Sequence, residues 1–125
     1  MRSRIITQES LHDVAWDDEY FKFCEFEGFL VEGETVSSDF ISCKFTALDW
    51  YWGLFTLANF VGCKFINCTF RGTSFTDTRF FECEFTNCNF VKDNLNSECD
   101  FIGALAYGCK VTNCQGFKVQ SLCPA

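Results

Sequence analysis

Large apolar side chains recur at every fifth position through the middle of the chain. From residue 40 onward the series is Phe40, Phe45, Trp50, Phe55, Phe60, Phe65, Phe70, Phe75, Phe80, Phe85, Phe90 and Leu95. Two positions before most of these stands a small residue: Ser38, Cys43, Ala58, Cys63, Cys68, Thr73, Thr78, Cys83 and Cys88. A fixed period of this kind has to be interpreted before any single helix or strand, because it determines the whole fold.

A period of five fits neither a regular helix nor a continuous strand. On an α-helix each step of five turns the side chain by roughly 140°, so the Phe positions would spiral around the cylinder. On a continuous strand, successive Phe residues would alternate between the two faces. Burying every Phe on one side therefore requires the backbone to bend once per five residues. Bends in a constant direction close the chain into a β-solenoid, in which each coil contacts only its neighbours.

The individual segments resemble those of the pentapeptide-repeat family. Examples are Cys63–Asn67, Cys68–Gly72 and Thr73–Asp77, which follow that family's order of small residue, polar residue, Leu or Phe, polar residue, and often Gly or Asn. The resemblance covers Phe40 to Leu95 and is looser on either side of that run. It implies an all-β fold, a right-handed quadrilateral parallel β-helix with four repeats in each coil. Dividing the repeat region accordingly predicts about five to six coils with irregular caps at both ends.

The same pattern divides one domain, residues 1–125, into three parts. Residues 1–15 lack the repeat and are expected to cap the N-terminal end of the core, because a solenoid end would otherwise expose apolar side chains. Residues 16–116 form the repeats, starting with a looser series: Trp16, Phe21, Phe26, Val31 and Val36. Residues 117–125 form a C-terminal cap or tail, to which Phe117, Val119 and Leu122 contribute apolar side chains.

Two places break the period of five. Between Val36 and Phe40 the spacing drops to four, which predicts an irregular corner or small loop over residues 33–37. Between Leu95 and Phe101 one extra residue predicts a bulge around residues 96–98, and just before it Asp93 replaces the usual small residue. Beyond the bulge, Ala106, Val111 and Gly116 fill the central positions weakly, so the coil is expected to end there.

Ten cysteines in so short a chain would usually indicate a disulfide scaffold. Most of them, however, share the position two before a central residue, where a small apolar side chain fits inside the coil. Stacked parallel coils direct these side chains the same way, which is poor geometry for disulfides. A spacing such as that of Cys63 and Cys68 also differs from the tighter pairs of zinc sites. We therefore expect reduced core thiols and a cytoplasmic location, with disulfides or metal binding as the alternatives.

The formal net charge of −7 lies entirely in the first part of the chain. Residues 1–50 contain eleven acidic and four basic residues, whereas residues 51–125 contain six of each. The candidate acidic patch consists of Asp17, Asp18, Glu19, Glu25, Glu27, Glu32 and Glu34. This patch is interpreted either as a solvated face or as an end that attracts a basic partner. No basic stripe is present, which disfavours direct nucleic-acid binding.

Aromatic residues outside the inward positions suggest a second surface. The candidate partner surface consists of Tyr51, Trp52, Val61, Arg71 and Phe81. The alternative is that these side chains pack against the N-terminal segment or a local loop. If they are exposed, the chain could also form a homodimer through them or through a chain end.

The sequence offers little for catalysis. The chain contains one histidine, His12, and has no Gly-rich phosphate loop or paired metal motif, so no catalytic, cofactor or metal residues are assigned. An enzyme would need a concave pocket with convergent polar groups, which we expect to be absent near His12. No apolar run is long enough to span a membrane.

A non-catalytic protein-protein interaction module is therefore the leading hypothesis for function. The resemblance implies an alternative, because quinolone-resistance pentapeptide-repeat proteins mimic DNA and bind DNA gyrase or topoisomerase IV. Such a mimic should carry a continuous ladder of negative charge. This chain is short, its acidic charge is confined to one end, and no C-terminal helix suited to dimerisation is visible.

Overall fold

The computed structural model describes residues 1–121, and these form short strands with a single 3₁₀ helix at Leu11–Asp13. Numbered along the chain, the strands are β1 (Ile5–Ile6), β2 (Asp17–Lys22), β3 (Glu25–Glu27), β4 (Leu30–Glu32), β5 (Thr35–Ile41), β6 (Lys44–Thr46), β7 (Asp49–Tyr51), β8 (Leu54–Thr56), β9 (Asn59–Val61), β10 (Lys64–Ile66), β11 (Thr69–Arg71), β12 (Ser74–Thr76), β13 (Arg79–Phe81), β14 (Glu84–Thr86), β15 (Asn89–Val91), β16 (Leu105–Tyr107), β17 (Lys110–Thr112) and β18 (Gln120–Ser121).

The strands form four parallel walls around one core. Wall 1 contains β2, the second half of β5, β9, β13, β16 and β18, and wall 2 contains β1, β3, β6, β10, β14 and β17. Wall 3 contains β4, β7, β11 and β15, and wall 4 contains the first half of β5, β8 and β12. Phe45 pairs with Phe65 and Phe65 with Phe85, so one coil takes twenty residues. The predicted all-β, four-walled parallel β-helix is confirmed.

The corner between two walls explains the period of five. Each corner residue lies two positions after a central Phe or Trp and adopts a left-handed backbone, as at Trp52 (φ 57°), Gly62 (φ 62°) and Asn67 (φ 55°). Its N–H donates to a carbonyl of the following coil, for example from Asn67 to Thr86 at 2.9 Å. Gly and Asn adopt this conformation with little strain, which explains their frequency at the end of a repeat.

The core consists of aromatic rings stacked from coil to coil. On wall 2 the ring of Phe65 lies 4.6 Å from that of Phe45 and 4.7 Å from that of Phe85, each pair within 5° of parallel. Rings from neighbouring walls meet edge to face, as for Phe60 and Phe65 at 5.3 Å. Both arrangements are favoured by the ring quadrupole, so the rings stabilise the contacts between coils as well as those between neighbouring walls.

The small residues lie inside the corners and bond to the preceding coil. The thiol of Cys63 donates to the carbonyl of Phe40 at 3.3 Å, and that of Cys83 donates to the carbonyl of Phe60 at the same distance. The Thr78 hydroxyl does the same with Phe55 at 3.3 Å. Nine cysteines carry free thiols in residues 1–121, while Cys123 lies outside the described residues.

The number of coils is slightly smaller than predicted. Four coils have a strand or bridge on every wall, the fourth being completed by a bridge between Ser74 and Asp100. A fifth coil begins with β16 and β17, but it thins because Ala106 is small and Val111 is 45% exposed. The estimate of five to six counted partial turns at both ends as whole coils.

Leu95 was expected in the core, and this expectation is wrong. Its side chain is 75% exposed, and it lies in a loop formed by residues 92–98, the 92–98 loop. Phe101 takes the wall 4 position instead, with its ring 5.3 Å from Phe75 and nearly parallel to it. Cys99 fills the small position, donating to the carbonyl of Phe70 at 3.2 Å. The break in register therefore begins at residue 92, before the predicted bulge.

The expected loop over residues 33–37 is also absent. Gly33 is an ordinary left-handed corner (φ 69°), and β5 then runs without interruption from wall 4 to wall 1. The five-residue period is interrupted at the corner formed by residues 37–39. This corner contains no left-handed residue, so the repeat from Val36 to Phe40 is four residues long instead of five. Ser38 is buried there, and its hydroxyl donates to the carbonyl of Trp16 at 2.8 Å.

Short irregular segments lie at both ends of the core. At the N-terminus Ile6 is buried, and Trp16 packs against Phe26 and Trp50 at 5.6 and 5.3 Å. At the C-terminus the ring of Phe117 lies 4.6 Å from that of Phe85, while Leu122 falls outside the described residues. Within residues 1–121 no helix has the length and apolar character that crossing a membrane requires.

Replacing Phe101 and Leu95 separately tests which of them supports the core. Phe101→Ala should lower the free energy of unfolding by about 3 kcal/mol, because it removes a stacked ring and leaves a cavity. Leu95→Ala should change it by less than about 0.5 kcal/mol, as for most surface substitutions. Urea denaturation followed by circular dichroism would measure both, and equal losses would contradict the assignment of Phe101 to the core.

Two partly buried thiols predict a loss of stability at alkaline pH. Burial raises the pKa of the Cys99 and Cys114 thiols above the ordinary value of 9.0. Their contribution to stability is therefore complete below about pH 9 and decreases as the pH rises further, because the unfolded chain loses those protons first. The urea midpoint, measured with reductant at pH 7 and pH 10, should fall. The Cys99→Ala, Cys114→Ala double variant should show a smaller fall, and an identical fall would count against this explanation.

Candidate interaction surfaces

Wall 1 presents a continuous column of apolar side chains to solvent. The column contains Ile41, Val61, Phe81 and Tyr107, each following the central residue of its strand, and we call it the wall 1 column. Phe81 is 36% exposed and Tyr107 is 43% exposed. The polar side chains of Asp39, Asn59 and Arg79 run beside it, and the Asn59 amide donates to the Asp39 carboxylate at 2.8 Å. The wall thus combines an apolar stripe with a polar border.

The candidate partner surface is divided between opposite walls. Val61 and Phe81 lie on wall 1, whereas Tyr51 and Arg71 are adjacent on wall 3. Tyr51 and Val61 are ten positions apart, and two corners of the coil lie between them. The prediction that all five residues form a single surface is therefore wrong. Ile41 and Tyr107 belong to the wall 1 column but were not part of the predicted surface. The twenty-residue coil places Ile41 beside Val61, so the sequence could have assigned Ile41 to the column. Tyr107 follows Phe81 by twenty-six residues, so its place in the column depends on the length of the 92–98 insertion.

Tyr51 and Trp52 pack against the 92–98 loop. The Trp52 indole N–H donates to Asp93 Oδ2 at 2.7 Å, and the Asn94 backbone N–H donates to the Tyr51 hydroxyl at 3.2 Å. The two rings meet edge to face at 4.5 Å. Of the two alternatives for these aromatics, packing against a local loop is the one found.

Asp93 organises this loop. Its Oδ1 accepts the backbone N–H groups of Leu95 at 2.9 Å and Ser97 at 2.8 Å. The Ser97 N–H, followed by the Trp52 indole and the Leu95 N–H, lowers the pKa of Asp93 against an opposing effect of desolvation. The Asp93 carboxylate therefore keeps its charge to a lower pH than a free aspartate would.

Gly72 leaves the space that Asp93 occupies. A Cβ atom at Gly72 would lie 2.5 Å from Asp93 Oδ2, and the backbone there is left-handed (φ 53°). Trp52, Gly72 and Asp93 lie in successive coils at the same corner, so the small residue allows the indole to reach across one coil. The replacement of a small residue by Asp93 was the signal for this altered corner.

The candidate acidic patch is a ring around the first coil. Asp17, Asp18 and Glu19 lie at the corner between walls 4 and 1, Glu25 and Glu27 on wall 2, Glu32 on wall 3 and Glu34 at the edge of wall 4. Along wall 2 the outward column reads Glu25, Lys44, Lys64, Glu84 and Lys110. Lysines interrupt the carboxylates, so wall 2 lacks the continuous negative ladder expected of a DNA mimic.

A depression lies beside His12, where none was expected. It encloses about 360 Å³ and is lined by Gln8, Leu11, His12, Val14, Trp16, Leu30, Val31, Glu32 and Glu34. The His12 side chain is 77% exposed, and its Nε2 lies 3.3 Å from Asp13 Oδ1. No serine, threonine or cysteine is among the lining residues, and the ionisable side chains there are those of His12, Glu32 and Glu34. The depression combines an apolar floor with an acidic rim.

Trypsin cleavage after Lys92 reports on the closure of the 92–98 loop. Asp93→Ala removes the acceptor of three N–H groups, so cleavage at Lys92 should become several-fold faster, because proteases act on opened segments. Trp52→Phe should have a smaller effect in the same direction, since one of the three donors is lost. Glu98→Ala, at the exposed end of the same loop, is the matched control and should cleave at the original rate. Equal rates for all variants would contradict the role of Asp93.

Comparison with known proteins identifies the repeat. The family model for pentapeptide repeats matches residues 55–95 in eight copies. No curated protein matches the chain in sequence.

Among the solved structures that match the chain are two variants of one protein. One is a trypsin-treated variant of QnrB1, a plasmid-mediated fluoroquinolone resistance protein, with 17% identity and a TM-score of 0.44; the match covers 69% of this chain and 52% of that one. A second trypsin-treated QnrB1 variant has 13% identity and a TM-score of 0.42, covering 78% of this chain and 69% of the other. The chain thus spans about half the length of the first. The eight matched copies and the twenty-residue register show that residues 55–95 consist of pentapeptide repeats.

Proposed function

We propose that this chain is a non-catalytic protein-protein interaction module that binds its partner through the wall 1 column. The observation that carries the proposal is the column itself, in which Ile41, Val61, Phe81 and Tyr107 align across four successive coils. Contiguous exposed apolar surface of this kind is typical of interaction sites. Aromatic residues, which the column contains at Phe81 and Tyr107, are favoured at the centres of interfaces.

The surroundings of the column support the same proposal. The polar residues Asp39, Asn59 and Arg79 border it, and interfaces commonly combine an apolar centre with a polar rim. The strands beneath are held by coil-to-coil pairing on both sides, so the surface is already ordered before binding. A preordered surface loses less conformational entropy on association. The partner would therefore present a flat, largely apolar face.

The alternative is an acidic DNA mimic that binds DNA gyrase or topoisomerase IV. It would require carboxylates stacked over several coils, whereas the acidic residues here encircle the first coil and lysines interrupt the wall 2 column. The alternative therefore has weaker support than the wall 1 column. The two proposals differ in their dependence on salt, because electrostatic capture weakens as ionic strength rises.

A pull-down with column variants tests the proposal. Val61→Lys and Phe81→Lys should each reduce capture of the partner by about tenfold or more, because a charge would be buried in an apolar contact. The matched control is Ile66→Lys, at the same repeat position of the same coil on wall 2, and it should leave capture unchanged. The bait would be incubated with a bacterial lysate at low and high salt, with little difference expected between the two.

Purified gyrase is the separate bait test for the alternative. Capture of gyrase that disappears at high salt and is indifferent to Val61→Lys would support the DNA mimic and contradict the wall 1 proposal. Thermal unfolding of each variant would verify that a loss of capture comes from the surface and not from loss of the fold.

A further inference from the structure

At its N-terminal end, the solenoid leaves wall 3 without a terminal partner strand. On wall 2, β1 pairs with β3, and on wall 1 Arg2 bridges to Lys22. On wall 4 the carbonyl of Trp16 accepts the N–H of Ser37. On wall 3, β4 pairs with β7 and ends its sheet, as the first half of β5 does on wall 4 where it pairs with β8. The chain leaves this wall at the 3₁₀ helix of residues 11–13, which replaces the strand that the period would place there.

The exposed edge of β4 has backbone groups available for pairing. Phe29 accepts the N–H of Asp49, and Gly33 donates to Tyr51, so Leu30 and Glu32 direct their N–H and C=O groups away from β7. The Leu30 N–H donates to Gln8 Oε1 at 3.3 Å, a side-chain oxygen in place of a strand carbonyl. Glu32 has no strand beside it on that side within residues 1–121. Edges of this kind are templates for an added strand.

The depression next to β4 determines what such a strand would carry. Its floor contains the apolar side chains of Leu11, Val14 and Trp16, and its rim carries the exposed carboxylates of Glu32 and Glu34. The acidic ring of the first coil surrounds it, and the first fifty residues hold the whole net charge of −7. The complementary ligand is an extended segment that alternates lysine or arginine with an aliphatic residue.

We propose that β4 binds an extended basic peptide segment of a partner protein, which adds one strand to wall 3 by β-augmentation. The peptide backbone pairs with Leu30 and Glu32 and displaces the Gln8 side chain. Its basic side chains meet Glu32 and Glu34, and its aliphatic side chain covers Trp16. Main-chain pairing supplies affinity and the alternating side chains supply specificity in this mode of recognition. The site lies on a different wall from the wall 1 column, so it is independent of that proposal.

A labelled peptide with the sequence Lys-Ile-Lys-Ile-Lys, blocked at both ends, is the probe. Fluorescence anisotropy should detect saturable binding, and methylation of alternate peptide nitrogens should weaken it by about tenfold, because those groups could no longer pair with β4. Equal affinity for the methylated peptide would overturn the proposal, since charge alone would then account for binding. Failure of the unmethylated peptide to bind would overturn it as well.

Two pairs of charge-removing variants locate the site. The Glu32→Gln, Glu34→Gln variant should weaken binding several-fold and reduce its dependence on salt. The Glu25→Gln, Glu27→Gln variant removes the same charge from the same coil, but its wall is already covered by β1 and binding should not change. Equal effects of the two pairs would contradict a site on β4 and indicate attraction by the acidic ring as a whole.

Hydrogen exchange distinguishes pairing at the edge from other modes of contact. Binding of the peptide should slow exchange at the Leu30 and Glu32 amides and leave that of Glu27 on wall 2 unchanged. Protection only at other amides would overturn the proposal. Concentration-dependent self-association that is lost in the Glu32→Gln, Glu34→Gln variant would also overturn it, because the occupant would then be a second copy of the chain.

Discussion

Hydrogen bonding between coils is the constraint on which the whole structure depends. Most strands are three residues long, too short to be stable as isolated hairpins, and every one of them finds its partners twenty or so residues away. The period of five follows from this requirement, because three extended residues, a left-handed corner residue and the small residue after it return the chain to the same position after four repeats. The aromatic stacks then follow from the register, since parallel pairing places each Phe directly above another.

This geometry also determines where function can reside. The central residue of each repeat is buried, and the small residue two before it is occupied with bonding to the preceding coil. Only the positions flanking the central residue, the corners, the insertions and the two ends remain for a partner. The wall 1 column uses flanking positions, and the 92–98 loop is an insertion. The edge of β4 belongs to an end. In each of these regions the repeat does not require a particular type of residue.

The sequence predicted the inside of this protein better than its outside. The central Phe residues and the small cysteines could be assigned because their period is strict and burial leaves them few alternatives. Leu95 was misplaced, since a leucine at the right spacing looks like a core residue until the side-chain contacts of Asp93 are known. The candidate surface of Tyr51 and Phe81 was wrong for a geometric reason: linear spacing shows which residues point outward, but the wall they face depends on the number of corners between them. The depression beside His12 could not be predicted, because the non-repeating segment has no period to extrapolate.

The 92–98 loop shows how the fold accepts an irregular segment without losing pairing. Beyond it, Phe81 pairs with Tyr107 and Glu84 with Lys110, so both walls shift by the same twenty-six residues and every later strand still finds its partner. An insertion at a corner therefore leaves the later strands paired, whereas one inside a strand would move its side chains to the opposite face. The loop is fixed by contacts from an earlier coil, since Trp52 reaches Asp93 across Gly72. Corners are thus the positions at which this solenoid can gain new surface while its core stays unchanged.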